Sequence, residues 1–352
     1  MKKNIFILFI FLIVLTILTP YSISDDLENE TVDVNAEITS FSNNSETKIK
    51  VPETNSRACV VIDRKTNTIL YGKNEKTQRK MASTTKIMTA IVIIENCNLS
   101  DIVIISKKAA GTGGSRLGLK TGDKITVRDL LYGLMLCSGN DAAVALAEHS
   151  STTVEQFAEL MNKKNVELGL TNTNFETPHG LDSEQHYTTA YELALLSNYA
   201  LNNKTFAQIV ATKNYTVTIN GYPKTLSNTN ELLGNLSGVY GIKTGFTNGA
   251  NRCLVTACKR NNIDIICVVL GADTKKFRTQ DSIKLIEYAF KNFEMINIKE
   301  KIISEFDNWK LCNSSSFIVK KGVSNDIDII LKDLPYDFFP VNCNYINDIS
   351  IY

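Results

Sequence analysis

The sequence predicts an α+β chain with an antiparallel sheet assembled from distant pieces. Strand-like runs lie at both ends of one long stretch, at Ala58 to Asp63 and again between Val239 and Leu270. Helix-like segments with capping signals lie between them. The later strands are joined tightly, with Arg260-Asn261-Asn262 as a hairpin turn. Strands separated by helices and closed by hairpins predict one domain with its helices segregated from an antiparallel sheet.

The elements follow in order. Lys2 and Lys3 precede an apolar run from Ile5 to Leu18, then small or polar residues at Pro20, Ser22 and Ser24. This is a signal peptide over 1–24, too short for a comfortable spanning helix. Residues 25–56, largely rich in Asn, Glu, Ser and Thr, read as a flexible leader. Ala58 to Asp63 and Thr68 to Gly72 form a strand pair around a turn at Arg64 to Asn67. A helix follows Ser83; Ile87, Met88, Ala90, Ile91, Val92, Ile93 and Ile94 make it apolar nearly all round, as in a helix at a domain centre.

Ile125 to Leu136 reads as a second helix, with Thr126 and Asp129 spaced like a capping box, and Asn140 to His149 as a third. Cys137-Ser138-Gly139 breaks them apart and puts Ser138 on a connection. Thr153 with Gln156 starts a fourth helix to about Leu168, and Thr189 with Glu192 a fifth to about Ala200. Strands follow at Tyr215 to Ile219, Val239 to Thr244, Cys253 to Cys258 and Ile263 to Leu270, then a helix from Phe277 to Phe290. The tail, 296–352, has β character at Ser316 to Lys320, Asp326 to Leu331 and Ile346 to Ile351, and reads as a short β-rich C-terminal domain.

Of the 352 residues 43% are hydrophobic, enough for a large core. A net charge of +1 without a long basic block argues against a nucleic-acid partner. The eight cysteines lie mostly in apolar runs and read as small buried hydrophobes, although an exported chain permits disulfides. With three histidines and no C-x-x-C, neither a metal site nor a cofactor is expected.

Three short motifs carry the chemistry: Ser83-Thr84-Thr85-Lys86, Ser138-Gly139-Asn140 and Lys243-Thr244-Gly245. Ser83 and Lys86 are about one helical turn apart, so both side chains share a face. A serine hydroxyl needs a base, and a lysine serves when burial or a nearby cation favours its neutral form. Ser138 offers a hydroxyl for proton relay, and Asn140 an amide that donates and accepts; Asn140 can equally cap the following helix. Lys243 supplies a second cation, able to hold Ser138 and attract a carboxylate that Thr244 also bonds. Gly245 admits a substrate backbone as an added strand. The backbone N–H groups of Ser83 and Phe246 are the natural oxyanion donors.

The ordered motifs resemble those of serine-type D-alanyl-D-alanine carboxypeptidases, the low-molecular-mass penicillin-binding proteins. The resemblance runs from about Ala58 to Phe290. It includes Gly113-Gly114-Ser115, Pro178-His179-Gly180-Leu181-Asp182, His186-Tyr187-Thr188-Thr189-Ala190, Asn228-Thr229-Asn230 and Gly241 to Thr247. It implies a β-lactamase/transpeptidase-like domain over 57–295, in which Ser83 is acylated, Lys86 is the base and Ser138 with Asn140 forms the second element. Lys243, Thr244 and Gly245 form the third. The implied reaction removes the terminal D-alanine from peptidoglycan stem peptides, and β-lactams acylate the same serine. The family commonly has glycine where Asn251 stands, and its members often carry a β-rich domain and an amphipathic anchoring helix; the tail here shows no such helix, which leaves membrane-surface association open. A β-lactamase, a cross-link endopeptidase and a non-catalytic wall-binding protein are the alternatives. The first is disfavoured because no E-x-x-L-N stretch separates the second and third motifs.

Overall fold

The computed structural model describes residues 32, 50–297, 309–311, 316–322 and 344–346. The expected signal peptide, most of the expected leader, the strand at Asp326 to Leu331 and all but the first residue of that at Ile346 to Ile351 lie outside the described residues, as do Cys312 and Cys343. In chain order the elements are β1 (Ala58–Asp63), β2 (Ile69–Lys73), α1 (Lys86–Asn96), β3 (Ile102–Ile104), α2 (Lys107–Gly111) and β4 (Lys124–Thr126). Five helices follow: α3 (Val127–Leu136), α4 (Asn140–Ser151), α5 (Val154–Glu167), α6 (Ala190–Leu201) and α7 (Lys204–Ala211). Then come β5 (Asn214–Ile219), β6 (Tyr222–Ser227), β7 (Val239–Thr247), β8 (Asn251–Arg260), β9 (Ile263–Ala272) and α8 (Lys275–Asn292). The short strands β10 (Phe293–Asn297), β11 (Trp309–Leu311), β12 (Ser316–Lys320) and β13 (Asn344–Ile346) close the described chain.

The central sheet has the order β2-β1-β9-β8-β7, antiparallel throughout. Both its faces are covered. Ala58, Val60 and Ile62 join Ile266, Val268 and Leu270 in a core shared with the helices, while Cys59 and Val61 join Ile265, Cys267 and Val269 in a second core against Ile283, Ile286 and Ala289 of α8. This period-two division explains why β1 and β9 read as continuous apolar runs instead of alternating ones. Cys59, Cys253, Cys258 and Cys267 are buried, Cys97 and Cys137 partly so, and all six are free thiols. Burial raises the Cys59 thiol to about 12.

Residues Lys86 to Ile93 of α1 are all buried. The helix packs against α3, α4, α5, α6 and α7, as its apolar circumference predicts. Each large aliphatic side chain so buried contributes about 1.5–3 kcal/mol. The capping threonines perform as expected: Thr126 accepts from the Asp129 N–H (3.0 Å), Thr153 from the Gln156 N–H (3.1 Å) and Thr189 from the Glu192 N–H (3.1 Å). The reciprocal half of the box is replaced by tertiary bonds. Asp129 accepts from the Thr218 N–H (2.9 Å), and Glu192 accepts from the Thr173 hydroxyl (2.6 Å). Several elements were not expected from sequence: the short α2; α7, capped by Asn203; β6, the exposed partner of β5; and the short strands β3, β4, β10 and β11, of which β4 takes up Ile125 and Thr126 so that the helix read from Ile125 begins at Val127. In the tail β10 pairs antiparallel with β12 and β11 pairs parallel with β13.

Candidate active site

The nucleophile candidate lies on a 3-10 turn, Ala82–Thr85, that leads into α1. The regular helix therefore begins at Lys86 and not at Ser83. Ala82 has φ +48°, a left-handed conformation that a residue with a Cβ rarely adopts. The turn is held from inside: the Thr84 hydroxyl donates to the Met81 carbonyl (2.6 Å) and the Thr85 hydroxyl to the Ala82 carbonyl (2.8 Å). It is also held from outside. Gly180, at φ +88°, lies so near that a Cβ there would fall 2.0 Å from the Ala82 oxygen, so only glycine fits. Ser83 makes no helix-capping bond, which removes the ordinary capping role for it.

Lys86 is fully buried. Its Nζ lies 2.7 Å from Ser83 Oγ and donates to Asn140 Oδ1 and the His179 carbonyl, both at 2.8 Å. Asn140 is the first residue of α4, and the cap position belongs to Gly139. The capping alternative for Asn140 is thereby corrected: its amide bridges Lys86 to the Gly113 carbonyl (2.8 Å), and its own N–H donates to the Ser115 carbonyl (2.7 Å). Ser138 sits on the break at φ +60°, buried, with no hydrogen-bond partner for Oγ. The expected hold of Lys243 on Ser138 is not present. The buried Lys243 Nζ donates instead to the Thr244 carbonyl (2.9 Å).

The third motif lies on β7, an edge strand of the sheet among the described residues. A Cβ on Gly245 would sit 3.1 Å from the backbone nitrogens of both Ser83 and Thr84, so the strand passes directly against the nucleophile turn. The Thr244 hydroxyl pairs with that of Thr229 (2.7 Å). Phe246 stacks under the Arg252 guanidinium, 3.7 Å from the ring centroid. The eight predicted residues thus fall on the turn carrying Ser83 and the start of α1, on the Ser138 break and the start of α4, and on one strand.

Sequence reasoning did not give individual roles to several supports. Asp141 is buried and accepts the N–H groups of Leu117, Gly118 and Leu119 at 2.8–2.9 Å, which fixes the loop whose carbonyls hold Asn140. Asp182 accepts from the Thr247 hydroxyl (2.7 Å) and the Gly249 N–H (2.8 Å), pinning the Pro178–Asp182 segment to the end of β7. The backbone acceptors of Gly113, Ser115 and His179 leave no side-chain signal to read. Burial, and secondarily the Lys86 cation, lower the His179 imidazole to about 3, so it is neutral near pH 7. Asn251, where the resemblance has glycine, lies at φ +58°, a conformation that asparagine tolerates better than most residues.

Known proteins share the sequence and fold of this chain. A family model for D-alanyl-D-alanine carboxypeptidase matches residues 45–274. D-alanyl-D-alanine carboxypeptidase DacF of Bacillus subtilis is 40% identical over 245 residues, 68% of this chain and 63% of that protein. The D-alanyl-D-alanine carboxypeptidase of Streptomyces sp. strain K15 is 40% identical over 243 residues, 64% of this chain and 84% of that protein. The crystal structure of the Streptomyces K15 DD-transpeptidase superimposes with a TM-score of 0.66 at 37% identity, over 69% of this chain and 99% of that one. That of the carboxypeptidase DacD from Francisella tularensis does so with a TM-score of 0.68 at 27% identity, over 80% and 85%. The matched part of the chain thus spans somewhat less than two thirds of the Bacillus relative, and by fold, motif order and sequence the chain belongs to the D-alanyl-D-alanine carboxypeptidase family.

Proposed function

We propose that the protein is a serine-type D-alanyl-D-alanine carboxypeptidase that trims peptidoglycan stem peptides. The observation that carries this reading is the buried Lys86 amine 2.7 Å from Ser83 Oγ, beside the glycine of an edge strand. With two protons given to Asn140 and His179, a neutral Lys86 turns its lone pair to the Ser83 hydroxyl. Oγ bonds to the carbonyl carbon of the penultimate D-alanine as its proton passes to Lys86. The oxyanion is met by the N–H groups of Ser83 and Phe246. The C–N bond then breaks, and the departing D-alanine amine takes the proton back from Lys86 by way of the Ser138 hydroxyl. A water molecule gives a proton to Lys86 and attacks the ester; as the C–Oγ bond breaks Lys86 returns that proton to Oγ, which releases the shortened peptide and restores Ser83 and the neutral amine. Lys243 and Thr244 hold the terminal carboxylate, while Gly245 leaves room for the peptide to lie along β7. No cofactor or metal enters these steps. β-Lactams are the expected covalent inhibitors.

Residues 1–24 serve as an export signal in this reading, which puts the domain over 57–295 and its β-rich tail outside the cytoplasm. Among the described residues no helix is long and apolar enough to cross a membrane. D-alanine release from an L-Lys-D-Ala-D-Ala peptide, by signal-free protein beside its Ser83→Ala variant, tests the activity. Release should fall by about 10⁶-fold in the variant; retained release would refute Ser83 as nucleophile. The likeness to the Streptomyces K15 DD-transpeptidase supports a second reading, acyl transfer to an amine. Adding a glycine or D-amino-acid acceptor to the same assay separates the two by product.

A further inference from the structure

We propose that His186 is a positioning residue for the nucleophile, acting through Thr85 to fix the turn that aims the Ser83 hydroxyl and amide. The proposal rests on the reading of Ser83 as nucleophile. His186 is buried and contacts no reacting atom, yet it ends a chain of hydrogen bonds whose direction is settled throughout. The Glu176 N–H points at Nδ1 from 3.0 Å, so Nδ1 accepts and bears no proton. The neutral ring then carries its proton on Nε2, which lies 2.7 Å from Thr85 Oγ1 and donates to it. With that contact accepted, the single hydroxyl proton of Thr85 goes to the Ala82 carbonyl at 2.8 Å.

Ala82 needs that help. It adopts φ +48° immediately before Ser83, and its carbonyl is buried against Gly180. Losing the Thr85 proton would leave a buried acceptor weakly held in a sparsely populated conformation, and the turn would relax. The Ser83 amide sits on the same turn, against the Gly245 backbone, so the relaxation would reach the oxyanion donors. The ring meets Phe175 edge-on at 5.8 Å. Of the charged groups around it, Glu176 and Asp182 favour protonation and Lys86 opposes it; burial outweighs them and holds the imidazole down to about 4. A protonated ring would aim a second N–H at the Glu176 N–H and break the chain of bonds.

Two polar replacements separate positioning from simple loop support. His186→Gln places an amide nitrogen near Nε2, keeping the bond to Thr85 and losing that to Glu176. His186→Asn places an oxygen near Nδ1, keeping Glu176 and losing Thr85. The readout is acylation of the full chain by a fluorescent penicillin, resolved into non-covalent affinity and acylation rate constant. His186→Asn should lower the rate constant about 10- to 100-fold at unchanged affinity. His186→Gln should recover most of it, and Thr85→Val should match His186→Asn with no further loss in the double variant. A Gln variant as slow as the Asn variant, or Thr85→Val acylated at the wild-type rate, would overturn the proposal. Should the histidine variants not fold, Thr85→Val decides alone. Absence of Ser83 labelling in the wild type would instead sink the proposed function, and this inference with it.

Discussion

Ser83 on its 3-10 turn and Ser138 on its break both stand at the mouths of buried helices, but the protein treats them oppositely. Ser83 is engaged before any substrate arrives: its hydroxyl lies on Lys86, its turn is braced by Thr84 and Thr85, and Gly180 closes on it from behind. Ser138 is left open, at φ +60°, with a buried Oγ that has no partner. An unsatisfied buried hydroxyl costs about 1–3 kcal/mol, and such a cost is tolerable where a substrate group completes the bond. The difference teaches that the fold itself organises the Ser83–Lys86 pair, whereas Ser138, the relay in the proposed mechanism, is left to be completed by what binds.

Lys86→Ala should test the organised half most severely. Acylation by penicillin should fall by about 10⁴-fold or more while the far-UV spectrum stays native. Normal labelling would refute Lys86 as base. Ser138→Ala should cost less, about 10²- to 10⁴-fold in D-alanine release, and should not lower the melting temperature, since no folded-state bond is lost. A clear destabilisation would show that Ser138 is braced like Ser83 and erase the contrast.

A third experiment uses pH. His179 and His186 start from 6.5 and sit at about 3 and about 4 in the folded protein, chiefly through burial. Above pH 6.5 neither state holds the extra protons. As pH falls from 6.5 the unfolded chain takes them up and the folded chain does not, so stability declines until the folded pKa values are reached. Between pH 6.5 and about 4, His186 alone accounts for on the order of 3 kcal/mol. Denaturant midpoints at pH 7 and pH 4 should differ accordingly, and His186→Gln should flatten the slope; an unchanged slope would place the ring's neutrality in doubt. The smallest effect belongs to Asn251. Asn251→Gly should change stability by no more than about 0.5 kcal/mol, whereas Asn251→Ala should lose about 1 kcal/mol at the left-handed position. Equal melting temperatures for the two would contradict the φ of +58°.

Much of this was legible in the residues. The three-residue spacing of Ser83 and Lys86 gave the contact seen, the capping threonines marked α3, α5 and α6, and the apolar girth of α1 foretold its central burial. What escaped has a common cause. The turn before α1 depends on Ala82 at positive φ, and alanine gives no local signal for that; Gly180, 98 residues later, imposes it in space. The acceptors for Lys86 and Asn140 include carbonyls of His179 and Gly113, identical in type at every residue. Asn140 could be read as a cap because capping and bridging demand the same amide. The strand β6 is exposed over most of its length, so no apolar pattern announces it.

Gly245 meets the nucleophile turn with a hydrogen where any other residue would bring a carbon. At this contact the strand backbone faces the backbone of the turn, with no rotamer to swing aside. A ligand too bulky for that gap cannot be accommodated by a side-chain flip, and sequence drift cannot widen it one methyl at a time. In the proposed mechanism the gap beside Ser83 is therefore set by the spacing of two main chains and not by a side chain.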